Sequence, residues 1–113
     1  MAIPMSRVSN KNRSDGFYRA ILSVKDLEEC RMLLNDVCTM AELRAFEQRF
    51  EVACLLKQGA IYNEIKEKTG ASSATISRVA RSLTYSEGGY EMVFERLREQ
   101  EEAEAAEKKA KEA

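Results

Sequence analysis

Histidine is absent from the 113 residues, so the side chain that most often shuttles protons near neutral pH is missing. The three cysteines, Cys30, Cys38 and Cys54, are odd in number and show no C-x-x-C spacing. With no histidine to complete a ligand set or to activate a thiol, neither a zinc site nor a cysteine nucleophile is expected. All three read as buried free thiols in a reducing compartment. The carboxylates lie on charged helix faces rather than as isolated pairs. Gly88-Gly89 lacks the lysine or third glycine of a phosphate-binding loop. Internal repeats are lacking too. These absences argue against an enzyme, a metal or a cofactor. No apolar run in Met1–Asn10 suits a secretion signal, and no stretch approaches a membrane span, so a soluble, cytoplasmic protein is expected.

A uniformly basic surface is also missing: the formal net charge is -1. The charge is nevertheless unevenly spread. Residues 1–25 carry five basic and one acidic group, residues 26–59 four and seven, residues 60–85 four and two, and residues 86–113 five and nine. Positive charge thus gathers at the N-terminus and over residues 60–85, the asymmetry that steering toward a phosphate backbone requires.

What is present is helical periodicity. The length suits one domain, and 44% hydrophobic residues suffice for a core. Residues 1–13 are polar and basic, hold the only proline, Pro4, and read as a flexible arm that either touches phosphate or is a disordered end. Ser14 or Asp15 caps a short helix whose sticky side is Phe17, Tyr18, Ile21 and Val24. Ser23 with Asp26 marks the start of the next helix, whose stripe is Leu27, Cys30, Leu34 and Val37. Thr39 with Glu42 forms a capping box that opens a long central helix to about Lys57. Its inward face is expected at Leu43, Phe46, Phe50, Ala53 and Cys54, widened by Val52, Leu55 and Leu56. So wide an apolar face is usually buried on more than one side, which points to a dimer core. Gly59 closes this helix. After Tyr85 either Ser86 begins another helix or Gly88-Gly89 interrupts first, and Tyr90, Val93, Phe94 and Leu97 form its stripe. Residues 98–113 have no large apolar side chain and read as a charged helical or frayed tail.

The most informative segment lies at about residues 61–84. Gly70 suits the left-handed end of one helix, and Ser72 suits the cap of the next. Ile76, Val79 and Leu83 share one face of that second helix, and Ile65 can meet Ile76 across the bend. No acidic residue occurs from Thr69 through Tyr85. This is the layout of a helix-turn-helix, which places its second helix in the DNA major groove. The residues expected at DNA are Lys66, Ser72, Ser73, Ala74, Ser77, Arg78 and Arg81: small polar and methyl-bearing side chains for base edges, basic ones for guanine or phosphate. A plain helical hairpin with a glycine turn is the blander reading of the same pattern.

From Leu33 to Leu97 the chain resembles the Trp repressor family, in particular its YerC/YecD-like branch. The matching pieces are Leu33-Leu34-Asn35-Asp36-Val37-Cys38-Thr39, Glu42-Leu43-Arg44-Ala45-Phe46, Arg49, Glu64-Ile65-Lys66-Glu67, Gly70-Ala71 and Ala74-Thr75-Ile76-Ser77-Arg78. Lys66 is the telling detail, because general helix-turn-helix proteins tend to carry alanine there. The resemblance implies an all-α fold of about six helices, an intertwined homodimer, and a cytoplasmic bacterial transcriptional regulator. It also implies that Thr39, Arg49 and Arg78 occupy the positions that surround the corepressor in tryptophan-responsive members, with arginine gripping a carboxylate in a two-pronged fashion. A phosphate contact, or a surface ion pair with Glu42, Glu47 or Glu51, remains the other reading of Arg49 and Arg78. The residue after the recognition-helix arginine is glycine in those members and Val79 here, so an effector other than tryptophan is expected.

The reading is therefore a Trp-repressor-like helical domain at residues 14–97. Its partners are double-stranded DNA, a second copy of itself and a small-molecule effector. Its function is sequence-specific transcriptional regulation, with repression the expected sense. The alternative is a helical protein–protein interaction module that has lost DNA reading.

Overall fold

The computed structural model describes residues 15–112, and all regular structure among them is helical. The helices are α1 (Asp15–Leu22), α2 (Leu27–Val37), α3 (Met40–Lys57), α4 (Tyr62–Thr69), α5 (Ser73–Tyr85) and α6 (Gly89–Glu112). The expected basic arm at residues 1–13 and a cap at Ser14 lie outside the described residues. The chain divides into two compact units, one running to Ala45 and the other beginning at Phe46, inside α3.

In the first unit, local hydrogen bonds set the helix ends. The Ser23 hydroxyl donates to the Ala20 carbonyl at 2.7 Å, which ties Ser23 to the end of α1. The cap of α2 is Asp26 instead: its carboxylate accepts from the Glu29 N–H at 2.8 Å, while the Glu29 carboxylate accepts from the Lys25 N–H at 2.9 Å. The expected start at Ser23 is thus corrected, because that hydroxyl is already held by the preceding turn. Thr39 and Glu42 form the predicted reciprocal box. The Glu42 N–H donates to Thr39 Oγ1 at 3.1 Å and the Thr39 N–H donates to Glu42 Oε1 at 2.8 Å. The backbone bond from Thr39, and then the one from its side chain, hold the Glu42 carboxyl below the usual range.

Apart from the caps, this unit leaves many of its apolar side chains uncovered. Gly16 is its one buried residue among those described. Leu22 is 82% exposed, and Phe17, Tyr18, Leu27, Met32, Val37 and Met40 are exposed as well. Of the stripe expected on α2, Cys30 and Leu34 are half-buried and Leu27 and Val37 exposed.

The second unit holds the core. Val52, Ala53, Ile65, Ala71, Ile76 and Val79 are buried in one cluster, against which Leu55, Leu56, Ala60, Leu83, Tyr90 and Phe94 pack. The inward face of α3 therefore centres on Val52 and Ala53, and Phe46, expected inside, is 50% exposed. The guanidinium of Arg49 lies over the Phe46 ring, 5.6 Å from its centroid, one turn before the face that receives α4 and α5. Phe50 joins Tyr90 and Phe94 of α6, with centroid separations of 6.3, 5.8 and 5.9 Å around the trio. Lys57 adds an exposed ion pair to Glu91 at 2.8 Å.

Gly59 and Gly88 both take positive φ, and α5 and α6 are separated at Ser86–Gly88, where the Gly88 N–H donates to Ser86 Oγ at 3.2 Å. Beyond Leu97, α6 continues without a break to Glu112. Arg98 is paired with both Glu95 and Glu102, and every described residue from Glu95 onward is exposed. The three thiols are free and half-buried rather than buried. Partial burial, followed by the nearby Glu51 charge, raises the Cys54 thiol above its ordinary value.

Ile76 is fully buried at the centre of this small core. Ile76→Ala should cost about 2–5 kcal/mol of unfolding free energy, read by urea denaturation. A loss under about 1 kcal/mol would mean that the α4–α5 packing is not what holds the second unit together.

Candidate nucleic-acid interface

The two helices of the predicted motif meet at a turn made by three residues. Gly70 ends α4 in the left-handed conformation at φ 72°, and its N–H donates to the Lys66 carbonyl at 2.8 Å. A Cβ at Gly70 would meet open space, so the backbone angle rather than crowding calls for glycine. Ala71 turns inward and is buried. Ser72 then caps α5, its Oγ accepting from the Thr75 N–H at 3.1 Å and donating to Thr75 Oγ1 at 3.0 Å.

With the cap in place, helical periodicity sorts α5. Ile76 and Val79 are buried and Leu83 is half-buried, while Ser73, Ala74, Ser77, Arg78 and Arg81 are exposed. Ser72 is exposed too, but its hydroxyl is committed to the cap, which limits it as a base reader. Lys66 is exposed on α4. The seven residues expected at DNA thus all reach the surface of the α4–turn–α5 segment. Among the described residues, Lys66, Arg78 and Arg81 form no ion pair, whereas neighbouring Lys68 is held by Glu64 at 2.9 Å. Two arginines and no carboxylate on α5, with Lys66 beside them on α4, make this face attractive to phosphate.

The residues tied by resemblance to an effector have distinct surroundings. Thr39 belongs to the first unit, where its hydroxyl serves the α3 cap. Arg49 and Arg78 belong to the second. Arg49 is half-buried over Phe46 and, among the described residues, makes no ion pair with Glu42, Glu47 or Glu51. Arg78 is exposed beside Val79, whose side chain is 2% exposed and fills its place in the core.

Sequence reasoning missed two residues that hold the turn. The Thr69 hydroxyl donates to the Ile65 carbonyl at 2.7 Å and accepts from the Ala71 N–H at 3.1 Å. The Thr69 carbonyl accepts from Gln48 Nε2 at 3.1 Å, across 21 positions of sequence. That carbonyl is one of the last four of α4, which have no partner within their own helix. A half-buried carbonyl left without a partner costs on the order of 1–3 kcal/mol, so the amide of Gln48 meets a real demand. A threonine just before a C-terminal glycine could have suggested the local bonds; nothing in the sequence pattern points to Gln48.

Comparison with known proteins agrees with this architecture. A family model described as Trp repressor protein matches residues 12–98. YerC of Bacillus subtilis (strain 168), described as an uncharacterized protein, is 48% identical over 87 residues, which are 77% of this chain and 84% of YerC. The crystal structure of a TrpR-like protein from Eubacterium eligens superposes with a TM-score of 0.74 at 51% identity, covering 79% of this chain and 95% of that one. A Staphylococcus aureus structure, described as a candidate Trp repressor, superposes with a TM-score of 0.75 at 36% identity, covering 86% of this chain and 96% of that one. The fold, the helix-turn-helix and the match across most of the sequence lead to one assignment: this chain belongs to the Trp repressor family.

Proposed function

We propose that the protein is a sequence-specific, DNA-binding transcriptional regulator that acts in the cytoplasm, most simply as a repressor. The observation that carries this reading is the exposed face of α5, capped by Ser72, free of acidic residues and bearing Arg78 and Arg81 outside any ion pair among the described residues. Ser73, Ala74 and Ser77 approach base edges, and Lys66, Arg78 and Arg81 contact phosphate or guanine. The near-neutral net charge is the observation on the side of an interaction module without DNA reading; the acid-free α5 outweighs it, because steering depends on local rather than total charge.

The working form is a homodimer. Its support is the first unit, whose apolar side chains are mostly uncovered in the single chain, as a surface awaiting a second copy would be. A two-fold dimer reads half-sites about 34 Å apart. A small-molecule effector held through Thr39, Arg49 or Arg78, the positions that the family resemblance names, would adjust that dimer. Tryptophan is a poor candidate: by the family resemblance Val79 stands where tryptophan-responsive members have glycine, and a branched side chain at that position would leave less room for an indole than glycine does.

Fluorescence anisotropy at low salt with genomic duplex fragments tests the function, and Arg81→Ala tests the face. The wild-type chain should bind, and the variant should bind more weakly across all fragments, with its salt slope reduced by about one. Unchanged affinity and slope would remove Arg81 from the interface; no binding by the wild type would favour the interaction module. Isothermal titration of the wild-type chain with tryptophan should give no saturable heat, while Val79→Gly should gain binding of indole compounds. Saturable micromolar tryptophan binding by the wild type would contradict the effector reading.

A further inference from the structure

We propose that Gln48 is a positioning residue, a strut from the central helix that sets the aim of the reading helix. The inference rests on the DNA-reading function proposed above. Among the described residues, the bond from Gln48 Nε2 to the Thr69 carbonyl is the one hydrogen bond that reaches the α4–turn–α5 segment from another helix. The remaining polar ties of the turn, from Gly70 to Lys66, from Thr69 to Ile65, from Ala71 to Thr69 and from Thr75 to Ser72, are all local. Those local ties fix the shape of the turn but not its orientation on α3.

Apolar packing supplies the seat: Ile65, Ala71, Ile76 and Val79 bury against Val52 and Ala53. Such packing decides which face turns inward but is non-directional, so it constrains a tilt of a few degrees less sharply than an oriented bond does. A hydrogen bond is directional, weakening steeply as its angle and length depart from the optimum. The strut also acts at the pivot. It meets Thr69, immediately before the left-handed Gly70 from which α5 swings. From Ser73 to Arg81 the reading helix extends roughly 12 Å, so a tilt of about 5° at the turn displaces Arg81 by roughly 1 Å. Base-edge hydrogen bonds tolerate only a few tenths of an ångström. Long basic side chains on phosphate tolerate far more, because flexible stems and a diffuse charge field absorb the shift. Loss of the strut should therefore blunt discrimination between sequences and leave general attraction to DNA in place.

The test uses the full chain with Gln48→Met, which keeps the length and approximate volume of the side chain and removes the donor. Gln48→Glu serves as a second variant, since an ionised carboxylate cannot donate to a carbonyl. Two measurements are made on protein shown by circular dichroism to be folded. Without DNA, amide exchange at Gly70 and Ala71 should accelerate at least tenfold in both variants. With DNA, the ratio of affinity for the preferred duplex to affinity for a scrambled duplex of equal length should fall at least tenfold, with the scrambled affinity within twofold of wild type. Unchanged exchange, an unchanged ratio, or an equal fall in both affinities would each overturn the strut. A wild-type chain that prefers no duplex overturns the DNA-reading function instead, and is told apart from failure of the strut by the exchange measured without DNA.

Discussion

Ile65 before the turn and Ile76 after it are both sealed from solvent, with Ala71 between them and Val79 one turn further on. This contact decides what the rest of the second unit can do. It requires the chain to reverse within a few residues, which Gly70 permits through its left-handed backbone and Ser72 completes by capping the next helix. Burying a side chain of this size contributes about 1.5–3 kcal/mol, so a few of them outweigh any single polar contact on the surface. Once these four residues face Val52 and Ala53, helical geometry leaves Ser73, Ala74, Ser77, Arg78 and Arg81 no direction but outward. The chemical character of the exposed face is thus a consequence of the buried one.

The two units solve the problem of small size differently. The second buries a compact apolar cluster and backs it with the Phe50, Tyr90 and Phe94 trio. The first relies on caps, Asp26 for α2 and Thr39 with Glu42 for α3, and leaves most of its large apolar side chains in solvent. A chain of this length has little stability to spare, and exposed apolar area of that extent is unfavourable unless something covers it. Charge is segregated as well: α5 carries no carboxylate, while α6 is dominated by glutamate. An uneven field of this kind orients a protein toward a polyanion even when its net charge is close to zero.

Local chemistry was the legible part of the sequence. Gly70, Ser72 and the Thr39–Glu42 box act within four residues, so residue type and spacing suffice to find them. The same rule misread Ser23, because a serine can serve the helix behind it as readily as the one ahead, and the Ala20 carbonyl claimed its hydroxyl. The inward face of α3 was only partly legible. With apolar residues around most of its circumference, periodicity could not choose Val52 over Phe46; the docking of α4 and α5 made the choice. Those local signals and the Ile65, Ile76, Val79 and Leu83 spacing located the helix-turn-helix, and the family resemblance supplied the fold around it. The bond from Gln48 to Thr69 was out of reach, since a pairing across 21 residues depends on how the helices pack and leaves no periodic trace.

The central claim is that the outward face of α5 reads DNA as half of a symmetric pair. Selection of bound fragments from a random duplex library measures this directly, since it lets the protein choose its own target. The account predicts enrichment of one motif with two-fold symmetry, its half-sites about one helical turn apart. A pool that shows no enriched motif after repeated selection at low salt would contradict it.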